Sequence, residues 1–462
     1  MKRLIARIDV KGENVIKGIH LEGLKIVGKP EELSKKYVEQ NADEIFFHDS
    51  VATLYGRNNL THIIEKVAST LSIPLTVGGG LRSVVDIENA LSSGADKVAI
   101  NTKFVDDKNF IRKTIEKFGS QAIVGSIEAK FVNGNWIAFT DNGRNISKYK
   151  VLEWVEILQQ ERVGEIILTS IDFEGTEKGF DLNLVKAVNK IINVPLIISG
   201  GAGNIQHISD CLEFSKVSGV ALASILHFNK SNISGIKNKI FSKKRIYFNK
   251  KFNIKKNKNN VTILKTKVCN FKSLYNSLKK ICEVNVIEST EDAKSISRLI
   301  LPGVGSFPEF INGLGEKKIE IIKKFHLTEN PILGICLGAQ VMFSESSEHK
   351  KTNGFNFIKG KVLNLKKISK NEKLIVPHIG WSEIDCKKHK IFENIENFSR
   401  MYFIHSFNFV PEDKKTIFAT TKFDNFKINA ISIKKNIIAC QFHPEKSGLN
   451  GLKFLFNFSK LN

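Results

Sequence analysis

The run Asp43-Glu44-Ile45-Phe46-Phe47 returns as Gly164-Glu165-Ile166-Ile167-Leu168 about 121 residues on, and Val77-Gly78-Gly79-Gly80 returns near the same offset as Ser199-Gly200-Gly201-Ala202-Gly203. Such a repeat confines the chain to folds assembled from two like halves. Short β-branched runs at 3–10, 44–48, 75–78, 97–101, 122–128, 165–169, 196–199 and 220–223 alternate with amphipathic stretches. That alternation implies parallel strands joined by helical crossovers. Eight units, four in each half, predict an α/β fold with a closed (βα)8 barrel of TIM type over residues 1–247.

In such a barrel the loops after the strands form the active face, where glycine turns let backbone N–H groups approach phosphate oxygens. The doubled turn predicts two anion sites on opposite sides of the mouth, and hence an elongated ligand with a phosphate at each end. Each turn has a polar companion at the next strand end, Asn101 and Thr102 in one half and Ser224 in the other. Asp9 and Glu128 end the first strand of each half and face each other under the repeat, a carboxyl pair suited to general acid and base work. Arg3, Glu44, Lys97 and Glu165 begin strands, so a ring of mixed sign is expected on the opposite face.

The second half of the chain carries a different chemistry. Cys336 lies in Gly334-Ile335-Cys336-Leu337-Gly338-Ala339-Gln340, and Gln441-Phe442-His443-Pro444-Glu445 follows downstream. A strand ending at 331–333, a Gly-x-Cys-x-Gly turn and a helix from about Ala339 would hold the sulfur on a tight elbow above a parallel sheet. Flanking glycines are expected to permit the bend. A free thiol is mostly protonated at neutral pH, so it needs a helix N-terminus and an imidazole to act as a nucleophile. His443 is the expected base and Glu445 its orienting carboxylate. Together they predict a hydrolase.

At 462 residues the chain is too long for one core, and 42% hydrophobic residues suffice for two. The six cysteines show no paired spacing, so neither a zinc site nor a disulfide scaffold is expected, and no metal or cofactor is called for. Charges interrupt the apolar run after Met1-Lys2-Arg3 before a signal peptide or membrane span forms, which predicts a soluble, cytoplasmic protein without membrane contact. A net charge of +23 invites a nucleic-acid reading. Its distribution opposes one. Between Phe214 and Cys282 there are 17 Lys and Arg and no acid, so much of the excess sits near the domain junction, and no basic-aromatic stacking surface accompanies it. The lysine- and asparagine-rich stretch 248–260 is expected to be a basic linker and 261–462 the second domain.

On Cys336, His443 and Glu445, with Pro302-Gly303-Val304-Gly305, Pro377-His378-Ile379-Gly380-Trp381 and Tyr402-Phe403-Ile404-His405-Ser406, the second half resembles the class I glutamine amidotransferases. The resemblance implies that Cys336 forms a glutamyl thioester from L-glutamine and releases ammonia. It implies that Gly303, Val304, Gly305, Leu337, Gln340, Glu348, His405 and Ser406 serve the oxyanion or the bound glutamine. On Asp9-Val10-Lys11, Thr76-Val77-Gly78-Gly79-Gly80, Gly94-Ala95-Asp96-Lys97-Val98, Thr169-Ser170-Ile171-Asp172 and Ser199-Gly200-Gly201-Ala202-Gly203, the first half resembles the cyclase of imidazole glycerol phosphate synthase. That resemblance implies catalytic roles for Asp9 and Glu128, and an ammonia gate of Arg3, Glu44, Lys97 and Glu165. It implies substrate or phosphate contacts from Lys17, Gly80, Asn101, Thr102, Thr169, Gly175, Gly201, Gly203 and Ser224. The implied product chemistry is amination and cyclisation of a bisphosphorylated ribulosyl-formimino aminoimidazole, as in histidine biosynthesis. The sequence departs from the cyclase pattern at Glu128, where the family has aspartate, and in the loop 20–29; the glutaminase opening 265–270 is also unusual. Relatives of both subunits that supply ammonia to a separate sugar amidotransferase, for acetamidino sugars of surface polysaccharides, provide the alternative.

Overall fold

The computed structural model describes residues 2–50, 61–241, 255–266, 271–288 and 296–461. The chain divides into two compact units that change over near position 246. Most of the expected basic linker and residues 267–270 of the glutaminase opening lie outside the described residues; Asn260 already opens a strand.

The strands of the first unit are β1 (Arg3–Lys11), β2 (Asn14–Ile19), β3 (Glu22–Gly28), β4 (Glu44–Asp49), β5 (Leu75–Gly78), β6 (Lys97–Ile100), β7 (Ile123–Val132), β8 (Asn135–Thr140), β9 (Asn145–Lys150), β10 (Glu165–Ser170), β11 (Leu196–Ser199) and β12 (Val217–Leu222). Eight of them run β10-β11-β12-β1-β4-β5-β6-β7, and β7 pairs back with β10 to close a parallel barrel. These are the eight runs expected from the repeat. The first strands of the two halves, β1 and β7, stand opposite each other in that order. Each also extends into an antiparallel hairpin, β2–β3 after β1 and β8–β9 after β7, which strand and helix periodicity did not announce.

Alternate residues of a strand share a face, so Arg3, Ile5, Arg7 and Asp9 of β1 enter the lumen at successive levels. At the N-terminal end of the strands Arg3 Nη1 donates to Glu44 Oε2 (2.9 Å) and Arg3 Nη2 donates to Glu165. Lys97 Nζ lies 2.6 Å from Glu44 Oε1 and 2.6 Å from Glu165 Oε2. None of the four side chains is more than 1% exposed. The expected mixed-sign ring therefore exists as a closed square of two cations and two carboxylates. Above it Ile5, Phe46, Ala99, Val124, Ile167, Ile197 and Ala221 form an apolar level. The next level, toward the mouth, is polar and holds Arg7 and Asp9.

The second unit contains β13 (Asn260–Leu264), β14 (Glu283–Ile287), β15 (Leu299–Gly303), β16 (Ile332–Cys336), β17 (Phe343–Ser346), β18 (Thr352–Asn353), β19 (Ile358–Asn364), β20 (His378–Cys386), β21 (Arg400–His405), β22 (Phe407–Pro411), β23 (Ile417–Phe423), β24 (Phe426–Lys434) and β25 (Ile437–Cys440). Its main sheet runs β14-β13-β15-β16-β25-β24-β23-β20-β21, and a smaller one runs β18-β17-β19-β22. The strands from β14 to β25 in that order are parallel, as expected around Cys336; the remainder of the sheet is antiparallel. Apolar clusters form on the sheet, one including Ile335, Phe403 and Phe454, the other Leu337, Phe343 and Phe409.

Candidate active sites in the two units

Parallel pairing sets the chemistry of the second unit. Ile335 of β16 stands beside Cys440 of β25, so Cys336 and the run Gln441-Phe442-His443 leave adjacent strands at the same edge. Cys336 has φ 53 and ψ −109, a conformation that a residue with a Cβ rarely adopts. The helix expected near Ala339 begins at once with Leu337 and ends at Gln340. The flanking glycines permit the bend through their lack of a Cβ. Neither has positive φ; a Cβ on Gly338 would lie 1.9 Å from Leu301 O, and one on Gly334 2.5 Å from Gly338 O. They admit close backbone approach, and the cysteine itself bears the strained geometry.

His443 Nδ1 lies 2.7 Å from Glu445 Oε1, both residues being 5% exposed. The short turn Pro444–Lys446 sets their spacing, and Ser447 Oγ donates to His443 O (2.6 Å). Burial opposes the imidazolium, but the Glu445 carboxylate and the neighbouring Cys336 sulfur outweigh it and hold His443 well above its ordinary value. The other ring nitrogen, Nε2, is buried, and Cys336 is the side chain that interacts with the ring besides Glu445. Gln441 Nε2 approaches Cys336 Sγ at 3.7 Å. Sulfur, imidazole and carboxylate thus lie together at this edge of the sheet.

Gly303 pairs with Cys336 across β15 and β16, and a Cβ there would lie 2.6 Å from Gly338 N, so the Gly303-Val304-Gly305 turn starts beside the amides that follow the cysteine. Other expected glutamine contacts have internal partners. Gln340 Nε2 donates to Phe407 O (2.8 Å) and Gln441 Oε1 (3.2 Å). His405 Nδ1 donates to Phe407 O (2.8 Å), leaving Nε2 to accept from His378 Nδ1 (3.1 Å). Burial pushes His405 down to about 4, so the ring is neutral. Glu348 Oε2 accepts from Phe307 N (2.8 Å), and burial drives its carboxyl up to about 7. Ser406 is buried beside His405.

At the barrel mouth, a cavity of about 270 Å³ is lined by His48, Gly79, Gly80, Asn101, Thr102 and Glu128, among others. Gly79 has φ 91, and a Cβ on it would lie 2.1 Å from Asp49 O, so only glycine fits. Asn101 Nδ2 donates to Glu128 Oε2 (3.1 Å) and Phe139 O (2.9 Å), and Gly143 N donates to Glu128 Oε2 (2.8 Å). Burial nevertheless raises the Glu128 carboxyl to about 7 against Arg7 and the Gly143 amide. Asp9 behaves oppositely: burial would raise it, but Arg7 and Lys17 hold it below its ordinary value.

Arg7 is a residue the sequence reading missed. Its Nε donates to Asp9 Oδ1 (2.9 Å), and its Nη1 donates to Thr169 Oγ1 (3.1 Å) and Ser199 Oγ (3.0 Å). The detectable sign was two charged residues two apart in an apolar strand, which must share the inner face. Lys17 pairs with buried Glu174, and burial pushes its ammonium down to about 8. A Cβ on Gly175 would lie 2.3 Å from Gly18 O, on Gly201 1.9 Å from Gly179 O, and on Gly203 2.1 Å from Glu177 O. These glycines seat the loop after β10 tightly. Ser224 opens the short helix Ser224–His227 and is buried.

Two family descriptions match the chain: "Histidine biosynthesis protein" over residues 3–232 and "Glutamine amidotransferase class-I" over residues 267–461. Among curated relatives, the imidazole glycerol phosphate synthase subunit HisF of Legionella pneumophila is 53% identical over 205 residues, covering 44% of this chain and 97% of the relative. The subunit of the same name from Saccharolobus solfataricus is 43% identical over 242 residues, covering 52% of this chain and 96% of the relative. The chain belongs to the HisF family, with a class I glutamine amidotransferase domain fused after it. It is an enzyme, a glutamine amidotransferase joined to a cyclase-type barrel. In this HisF-type barrel the sequence-expected mouth and ring residues occupy the positions described above. Among the described residues no helix is long and apolar enough to cross a membrane, and no group of His, Cys, Asp or Glu could hold a metal ion.

Proposed function

We propose that the second unit hydrolyses glutamine with Cys336 as nucleophile, and that the ammonia is used at or beyond the barrel mouth. The observation that carries this reading is His443, which is buried between the Glu445 carboxylate on Nδ1 and the Cys336 sulfur, both holding the imidazolium. His443 takes the thiol proton through Nε2, and the thiolate attacks the side-chain amide carbon of glutamine. The oxyanion meets backbone amides near Leu337 and Val304, where fixed donors stabilise developing charge. His443 then protonates the departing nitrogen, a glutamyl thioester remains, and water activated by the same imidazole releases glutamate. Cys336→Ala is expected to abolish glutamate formation, and a glutamine-like electrophile should alkylate Cys336 alone among the cysteines. Glutamate release by the alanine variant at the wild-type rate would falsify the assignment.

Ammonia that enters bulk water is protonated and lost, so the barrel lumen is the sheltered route and the ring of Arg3, Glu44, Lys97 and Glu165 its gate. For the acceptor, an imidazole glycerol phosphate synthase reaction would use Asp9 and Glu128 as acid and base on the bisphosphorylated substrate, giving imidazole glycerol phosphate and aminoimidazole carboxamide ribonucleotide. The raised Glu128 suits the acid of that pair. A specific observation favours the second reading: the Arg7 guanidinium already engages Asp9, Thr169 and Ser199. In that reading the barrel conducts ammonia to a separate sugar amidotransferase that forms acetamidino sugars. Purified protein given glutamine and the bisphosphorylated substrate decides between them. Glutamate with both cyclisation products in equal amount establishes the synthase reaction, whereas glutamate alone establishes the conduit.

A further inference from the structure

We propose that Gln441 is the hydrogen-bond donor that holds the Cys336 sulfur in its attacking form, and that Asn408 and Gln340 are positioning residues that set which way its carboxamide faces. The inference rests on reading Cys336 as the nucleophile of the glutaminase. It adds a residue that meets the reacting sulfur without moving a proton.

Gln441 directly follows β25 and is fully buried, and its Nε2 lies 3.7 Å from Cys336 Sγ. The two ends of a carboxamide have nearly the same shape, so the neighbours decide which one faces the sulfur. Here backbone groups settle the matter. Asn408 Oδ1 accepts from Asn429 N (3.1 Å) and Asn408 Nδ2 donates to Asn429 O (2.8 Å), which fixes the Asn408 amide. The second proton of that Nδ2 goes to Gln441 Oε1 (3.2 Å). Gln340 Nε2 is fixed in the same way by Phe407 O (2.8 Å) and also donates to Gln441 Oε1 (3.2 Å). Both neighbours are donors, so the atom of Gln441 that they meet is the oxygen, and the atom turned to Cys336 is the nitrogen.

An amide nitrogen donates and does not accept. It therefore favours a sulfur that has given up its proton over one that has kept it; the thiol can instead donate to Ile404 O, 3.8 Å from Sγ. Burial makes the donor effective, since Asn408, Gln340 and Cys336 are also buried and water does not compete. Hydrogen bonds to an ionised acceptor are moreover about twice as strong as neutral ones. The titratable groups around the sulfur are His443 with Glu445, Cys440 of β25, and His405, which faces His443. Burial and the Glu445 charge push the Cys440 thiol well above its ordinary value, and His405 is neutral. The His443 imidazolium is thus the cation that balances the sulfur, and Gln441 supports the same charge without sharing the proton that His443 must later give away.

The test follows alkylation of Cys336 by iodoacetamide against pH in the full chain, with the modified peptide identified by mass spectrometry. The midpoint belongs to the Cys336 and His443 pair. Gln441→Leu keeps most of the volume and leaves Gln340 and Asn408 a backbone partner each. Its midpoint is expected to rise by about one pH unit, the low end for a hydrogen bond to a charged group. Below the midpoint, alkylation and kcat for glutamine should both fall about tenfold while KM stays near the wild-type value. Asn408→Ala frees the Gln441 carboxamide to turn and should move the midpoint in the same direction by less. A folded Gln441→Leu with the wild-type midpoint would overturn the inference and leave the glutaminase reading intact. If that variant does not fold, an unmoved midpoint in Asn408→Ala overturns it instead. A wild type that is alkylated at Cys336 but releases no glutamate would overturn the glutaminase reading on which the inference rests.

Discussion

Replacing Lys97 by methionine keeps the length of the side chain and deletes one of the two cations in the barrel ring. In the wild type Lys97 sits 2.6 Å from each of two carboxylates, with no measurable exposure. The variant leaves Arg3 facing Glu44 and Glu165 alone, a net charge of −1 sealed from water. Removing one partner of a buried pair costs about 3–5 kcal/mol. Each kcal/mol shifts the melting point of a domain of this size by about 2–4 °C, so the barrel transition should fall by roughly 6–20 °C. Calorimetry of the whole chain reads this directly, because the glutaminase transition serves as an internal reference. Adding Glu44→Gln restores neutrality, and the double variant should recover more than half of the loss. An unchanged barrel transition in Lys97→Met, or a double variant worse than the two single changes combined, would refute the argument that charge balance holds the ring. The same variant should lower product formed per glutamine consumed; an unchanged ratio would leave the ring structural and remove its role as a gate.

Glu445→Gln removes the charge that sustains the His443 imidazolium, and by analogy with other triads should slow glutamate release by about 10²- to 10⁴-fold; an unimpaired rate would exclude Glu445 from the site. Glu128 has its folded value raised to about 7 from an ordinary 4.5 by burial, so it is neutral at pH 5 without penalty and must ionise in a dry site as pH rises through 7. Glu128→Gln should therefore gain stability over the wild type between pH 5 and 8, by about 3 kcal/mol at most, and parallel stability curves would show that Glu128 is not desolvated. Gly338→Ala puts a methyl group 1.9 Å from Leu301 O, so glutaminase activity should be lost while the barrel transition is kept; a fully active variant would mean that the elbow relaxes freely.

The barrel was legible because its strands are short β-branched runs at regular intervals and because the two halves carry the same glycine turns. The Cys336 site was legible because nucleophile, base and carboxylate lie in two compact motifs that adjacent parallel strands bring to one edge. What remained hidden depends on long-range pairing. The hairpins β2–β3 and β8–β9 are strand pairs without a helix between them, and each reads as part of a loop in an alternating pattern. Arg7 reads as one basic residue among many until the closed barrel turns it inward onto Asp9. Glu174 gives no sign in the sequence that it will meet Lys17, more than 150 positions away, against the second glycine turn. The elbow and its flanking glycines were anticipated, but not that Cys336 itself would carry the positive φ while the glycines make room for neighbouring backbone.

The left-handed backbone of Cys336 bears on how such a chain changes over generations. A residue without a Cβ would sit there in greater comfort, so Cys336→Gly should yield a protein more resistant to heat and chemically inert at the sulfur's position. Drift toward stability alone would therefore erase the thiol. Its presence at an uncomfortable position is what continued use, rather than inheritance, would leave behind.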